Sequence, residues 1–256
     1  MLANYHTHTW RCKHAAPNER AYIEQAIAAG IQILGFADHT PYPFPDGHTS
    51  SFRMAVAQTE DYFTTLSDLK REYAGRIEIH LGVEAEYYPS HFQALLELLR
   101  QYPCEYMLMG QHYIGDEEPG GYNGFATEDP THLTRYVEQV LEGLSTGRFT
   151  YLAHPDLIRY PSETELYRQE ITRLCQGVKA LNIPVEINLL GLYETRHYPN
   201  EAFWEIAGQV GCTGIIGIDA HSPEAMNRPE AEAEAQALAA RYGIPLLETV
   251  SLRSIR

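Results

Sequence analysis

The stretch Ala3-Asn4-Tyr5-His6-Thr7-His8-Thr9 reads as a strand that closes on two histidines. Residues i and i+2 of a strand face the same way, so the two rings aim at one place. The same ending recurs down the chain. Strand-like apolar runs lie near Ile33–Ala37, Ile77–Val83, Tyr106–Gly110, Phe149–Ala153, Val185–Asn188 and Gly214–Ile218. They lead into Asp38-His39, Glu84, Gln111-His112, His154-Pro155 and Asp219-Ala220-His221, with Glu186 inside the sixth run and His14 after the first. Strand ends this far apart in sequence meet only where strands converge, as at the mouth of a barrel.

Between the runs the period changes to that of a helix. Leu133, Tyr136, Val137, Val140, Leu141 and Leu144 form one 3.6-residue stripe, and Tyr62, Leu66, Leu69 and Tyr73 another. Pro17-Asn18-Glu19 and Ser222-Pro223-Glu224 carry the proline and acid of a helix start. Alternating strand and helix predicts a parallel sheet. Seven units make an α/β barrel of the (β/α)₈ type lacking one unit, and Leu246–Val250 offers one further strand. No linker or low-complexity segment divides residues 1–256, so a single domain is expected. Long segments after the strands, Pro41–Met54, Gly115–Asp129 and Asp156–Ser162, belong on the face where barrels bind substrates.

Composition narrows the partners. A formal charge of -15, from 34 acidic and 19 basic residues, excludes the basic track that a long nucleic acid needs. A small phosphate ester is not excluded, since metals and a few arginines reverse the sign locally. No apolar run is long enough for a membrane, and with Tyr5-His6-Thr7-His8 so near Met1 no signal peptide is expected. Cys12, Cys104, Cys175 and Cys212 form no CxxC pair, which suits reduced thiols in the cytoplasm.

A lone His-x-His is a weak signal, Asp38-His39 reads as a salt-linked pair, and His154-Pro155 as a turn. Repetition at successive strand ends points instead to a metal cluster. Mixed imidazole and carboxylate donors suit zinc, manganese or iron better than calcium or magnesium. His80 falls inside the third strand, His91 and His132 begin helices, and His48 and His197 lie in loops near the mouth.

The motif order, from His6 to His221, resembles the PHP (polymerase and histidinol phosphatase) superfamily over essentially the whole chain. The resemblance implies a distorted seven-stranded TIM-like barrel with three divalent transition metals at the C-terminal ends of its strands. Carried over residue by residue, it places His6, His8, Glu84 and Asp219 on the first metal. Glu84, His112 and His154 take the second, with Glu84 bridging, and His14, His39 and His221 the third. Glu186 is expected to orient a ligand and not to bind metal. Asp38-His39-Thr40-Pro41, Gly110-Gln111-His112-Tyr113-Ile114-Gly115 and Glu186-Ile187-Asn188 followed by Tyr198-Pro199-Asn200 resemble the histidinol-phosphatase branch. Gln111 departs from the small residue common there.

The expected activity is hydrolysis of a small phosphate monoester, L-histidinol phosphate, by a metal-bridging hydroxide. Glu84, Asp219 and His221 are the expected catalytic groups, with the general acid open among His221, Asp219 and water on a metal. Arg159 and Arg196 are the expected phosphate ligands, and Arg53 a third candidate. The loops around Pro41–Met54, Tyr113 and Tyr122 are expected to enclose an imidazole, and Asp116, Glu117 or Glu118 to meet the ammonium. The competing readings are a nucleotide or oligonucleotide phosphoesterase and a non-catalytic metal-binding module. No GxSxG, Walker or dinucleotide motif competes.

Overall fold

Every strand-like run enters one parallel sheet in a computed structural model that describes residues 1–48, 50–117 and 121–255. Its strands are β1 (Ala3–Asn4), β2 (Ile33–His39), β3 (Glu78–Ala85), β4 (Tyr106–Met109), β5 (Phe149–Leu152), β6 (Val185–Asn188), β7 (Gly214–Gly217) and β8 (Leu246–Leu247). They follow chain order across the sheet. The helices are α1 (Glu19–Ala28), α2 (Thr59–Glu72), α3 (Phe92–Leu99), α4 (Pro130–Ser145), α5 (Glu165–Ala180), α6 (Leu189–Tyr193), α7 (Glu201–Val210) and α8 (Pro229–Tyr242). None is long and apolar enough to cross a membrane.

The strand count differs between the two ends of the sheet. At the base, β8 pairs with Gly214 and Ile215 of β7, making an eighth strand. Toward the mouth the first strand returns to the seventh through a parallel bridge between Thr7 and Ala220. There the His8 N–H donates to the Ala220 carbonyl at 2.9 Å and the Ala220 N–H to the His6 carbonyl at 3.1 Å. The expected seven-strand ring thus describes the mouth. β1 is shorter than expected because the Asn4 side chain takes over ladder bonds, accepting from the Ile218 N–H and donating to the His6 carbonyl.

Both predicted helical stripes face the core. Tyr62, Leu66, Leu69 and Tyr73 are buried on and just after α2, as are Leu133, Tyr136, Val137, Val140 and Leu144 on α4. α1 starts where expected, with the Asn18 side chain accepting from the Ala21 N–H. The start expected at Ser222-Pro223-Glu224 gives only a 3₁₀ turn, Pro223–Met226, and α8 begins at Pro229. Pro229 disfavours helical backbone at Arg228, which sits at φ -129° and ψ 65°, so the turn cannot run into the helix.

At the base of the sheet Glu105 gathers three donors. Lys70 Nζ lies 2.5 Å away, His80 Nδ1 3.1 Å and the Leu81 N–H 2.9 Å. Burial pushes the Glu105 carboxyl up, but His80, Lys70 and the Leu81 N–H together hold it at about 2. A carboxylate depressed on folding stabilises the fold above its unfolded value near 4.5 and loses that contribution as pH falls toward 2. Glu105→Gln is therefore expected to lower stability at pH 7, with the gap to the parent closing by pH 2 to 3. Denaturant unfolding across that range checks it. A gap that stays constant with pH would refute the linkage.

Candidate metal centre

The sequence order of strands becomes, at their C-terminal ends, a ring of donors. β2 runs through Asp38 and His39, and β3 sets Glu84 directly across from His39. His6 and His8 follow β1, His112 follows β4, His154 follows β5, and Asp219 and His221 follow β7. Glu84 fits only because its neighbour is Gly110, where a Cβ would overlap the Glu84 carboxylate. Gly217 makes the same room for Glu186. His154 and Asp219 hold positive φ angles of 26° and 56°, a strained backbone retained at two of the donors.

Glu84 divides its two oxygens. Oε2 lies 3.6 Å from Nε2 of both His6 and His8 and 3.0 Å from His39 Nδ1. Oε1 lies 2.8 Å from His154 Nε2 and 3.7 Å from His112 Nε2. Asp219 Oδ1 completes the first group, 3.5 Å from His6 Nε2 and 3.0 Å from His8 Nε2. Donors at about 2.0–2.1 Å around a tetrahedral metal stand roughly 3.3 Å apart, so these spacings fit an ion. His6 Nε2, His8 Nε2, His39 Nδ1, Glu84 Oε2 and Asp219 Oδ1 are buried without a hydrogen-bond partner. Orphans on this scale demand a ligand.

His14, His39 and His221 form a second convergence at the rim. The Nδ1 atoms of His14 and His221 face the carbonyls of Cys12 and Asp219 at 2.8 and 3.0 Å. Protons on those nitrogens leave two Nε2 lone pairs facing each other at 3.0 Å, an arrangement that calls for a cation. Burial lowers the pKa of His14 and pushes His221 well below the ordinary imidazole value. Burial likewise brings His39 down to about 4. Neutral imidazole is the form that binds metal. Burial opposes charge on Glu84 too, but His112, His39 and His6 hold its carboxyl well below the usual range.

Behind the donors stands a layer of carboxylates, of which the sequence discloses only Glu186 in that role. Glu186 Oε1 takes His6 Nδ1 at 2.9 Å and the Tyr151 hydroxyl at 3.1 Å, while Oε2 accepts from the His154 N–H and Asn188. Glu86 Oε1 takes His112 Nδ1 at 2.9 Å, and Asp38 Oδ1 faces His8 Nδ1 at 3.4 Å. Each fixes the ring so that Nε2 points inward. Arg53 belongs to this layer and not to the phosphate. It is buried, with Nη1 3.0 Å from Glu86 and Nε 2.8 Å from Glu117. The spacing of Glu84, near the end of β3, and Glu86, just past it, was the available signal, since residues i and i+2 of extended chain share a face.

A cavity of about 470 Å³ opens over the donors. Arg196 lines it, with Glu194, Tyr198, Phe52, Tyr113, Tyr122 and Phe125. Phe52 stacks on Tyr113 at 5.6 Å between centroids, and Tyr113 is bridged to Tyr122, so the two expected loops do meet. Arg159 is exposed and outside the lining. Asp116 turns to His91 at 3.6 Å and Glu117 to Arg53, so neither reaches the cavity, and Glu118 lies outside the described residues. Gln111 is buried as a brace, accepting from the Tyr87 N–H and donating to the Tyr113 carbonyl. His48 pairs with Glu117, His132 with Asn123 and His197 with the Leu157 carbonyl, all supporting loops.

Known proteins resemble this chain in sequence and in fold. A Deinococcus radiodurans protein named probable histidinol-phosphatase is 25% identical over 236 residues, 87% of either chain. The histidinol-phosphatase of Bacillus subtilis is 36% identical over 86 residues, 32% of either chain. The crystal structure of histidinol phosphate phosphatase from Lactococcus lactis, complexed with zinc, L-histidinol and phosphate, superposes with a TM-score of 0.74 at 17% identity. The superposition covers 99% of this chain and 97% of that one. The PHP domain matches residues 4–189. With the barrel, the divided carboxylate and the rim histidines in place, that match is conclusive: the chain belongs to the PHP domain family.

Proposed function

We propose that this chain, as one domain over residues 1–256, hydrolyses L-histidinol phosphate to L-histidinol and phosphate as a metal-dependent phosphomonoesterase. The observation that carries the reading is Glu84, whose oxygens serve two donor groups beneath a cavity lined by an arginine. The names of the relatives and the ligands of the Lactococcus lactis enzyme support the substrate.

His6, His8, Glu84 and Asp219 would hold one divalent metal, Glu84, His112 and His154 a second, and His14, His39 and His221 a third. The donor chemistry fits zinc, manganese or iron. Metals bound there supply Lewis acidity toward phosphoryl oxygens and lower the pKa of water toward neutrality. The chain's own residues do the rest. Glu84 sets the spacing of two donor groups, and Glu186, Glu86 and Asp38 hold the imidazoles in register. Arg196 presents a guanidinium fork to the terminal phosphate, with Arg159 an outer contact at the rim. Asp219 and His221 both stand on the cavity wall, and the proton that the leaving alkoxide takes up would come from one of them or from bound water.

The test is released phosphate from L-histidinol phosphate, nucleoside monophosphates and a generic monoester under identical metal conditions. L-Histidinol phosphate is expected to lead in kcat/KM by about tenfold or more, equivalent to about 1.4 kcal/mol. A nucleotide in the lead would overturn the substrate while leaving the metal chemistry intact. Arg196→Ala is expected to reduce kcat/KM by about tenfold or more without loss of metal, as a lost charge-assisted hydrogen bond should. Arg159→Ala is expected to do less. Unchanged kinetics in Arg196→Ala would remove that residue from the phosphate.

A further inference from the structure

Among the described residues lining the cavity, one arginine and one carboxylate outside the donor groups are present, Arg196 and Glu194, and they hold each other. Glu194 Oε2 lies 2.9 Å from Arg196 Nε and 2.6 Å from Nη2, so one oxygen occupies the very edge that a phosphate would grip. The third guanidinium nitrogen, Nη1, is 3.0 Å from the Tyr198 hydroxyl and would hold the side chain in place through an exchange of partner. The pair is exposed, at 38% for Arg196 and 46% for Glu194, and ion pairs of that kind are weak. Between them Thr195 keeps a φ of 51°, unfavourable for a β-branched residue, which sets the two side chains together at the mouth.

We infer that Glu194 is a specificity residue that exchanges Arg196 for a substrate ammonium, so that the cavity selects phosphate monoesters bearing a neighbouring amine. This rests on the phosphomonoesterase reading above. A terminal phosphate dianion competes for the Nε–Nη2 edge and releases Glu194. The freed carboxylate stays within reach, two residues away on the same turn. An ester with an ammonium on the carbon beside the ester carbon satisfies both groups at once, whereas an ester without it leaves Glu194 unpaired beside bound phosphate. The discrimination is therefore repulsive as well as attractive.

The experiment uses the metal-loaded protein, its Glu194→Gln variant, L-histidinol phosphate and the same ester lacking the amine. The parent is expected to favour the aminated ester by about tenfold or more. Glu194→Gln is expected to abolish that preference, lowering kcat/KM for the aminated ester and raising it for the amine-free one. Glu194→Asp should retain part of it. Inorganic phosphate, measured by calorimetry, should bind Glu194→Gln severalfold more tightly, because Arg196 has lost its competitor. A preference that survives Glu194→Gln overturns the inference. If the parent cleaves neither ester, the substrate reading falls, and phosphate affinity still decides the exchange: equal affinity in parent and variant overturns it.

Discussion

Glu84→Ala is expected to empty the centre. Its two oxygens serve both donor groups at once, so the substitution takes a donor from each and leaves His6, His8, His39 and His154 facing a void. Metal content measured by elemental analysis should fall by at least two of three equivalents. Phosphate release should fall far beyond the about 10- to 100-fold that loss of an orienting residue costs. Chelation of the parent should reproduce the loss and lower Tm, because an ion that binds only the folded state stabilises it by mass action. Full activity in a rigorously metal-free preparation would end the metal reading. Full metal content in Glu84→Ala would deny the bridge alone.

Arg53→Ala is expected to have the largest effect on folding. The guanidinium is buried between Glu86 and Glu117, and its removal leaves two carboxylates without their cation in a dry environment. Breaking such a pair costs about 3–5 kcal/mol, a large share of the stability of most domains. Glu86 also holds His112, so metal affinity should fall with stability. Lysine should rescue poorly, since a point charge cannot reproduce a fork that contacts both acids. Denaturant unfolding of the metal-loaded protein measures the loss. A change under about 1 kcal/mol would mean that water or a shifted side chain replaces the cation.

Much of this protein is written in local pattern. The period of 3.6 along α2 and α4 is a property of short stretches and led to the right elements, whereas the strand expected over Ala3–Thr7 forms only at Ala3–Asn4. The candidate donors other than His14 stand at or just past strand ends, and parallel strands bring those ends to one face. Ser222-Pro223-Glu224 misled because a helix start says nothing of the proline at 229 that stops it.

What only the tertiary structure decided concerns pairing at long range. Arg53, Arg159 and Arg196 are alike in sequence, yet one is sealed between two acids, one is exposed beyond the cavity, and one lines it. Asp116, Glu117 and Glu194 are likewise equivalent until their partners are known, and only Glu194 faces the site. Glu86, which aims His112, carries no motif of its own, and Asp38, beside His39 in sequence, aims His8 instead. Strand and helix periods are set by neighbours a few residues away, so sequence alone determines them. The role of a charge is set by burial and by the partner facing it, which come from segments dozens of residues apart and exist only once the barrel has closed.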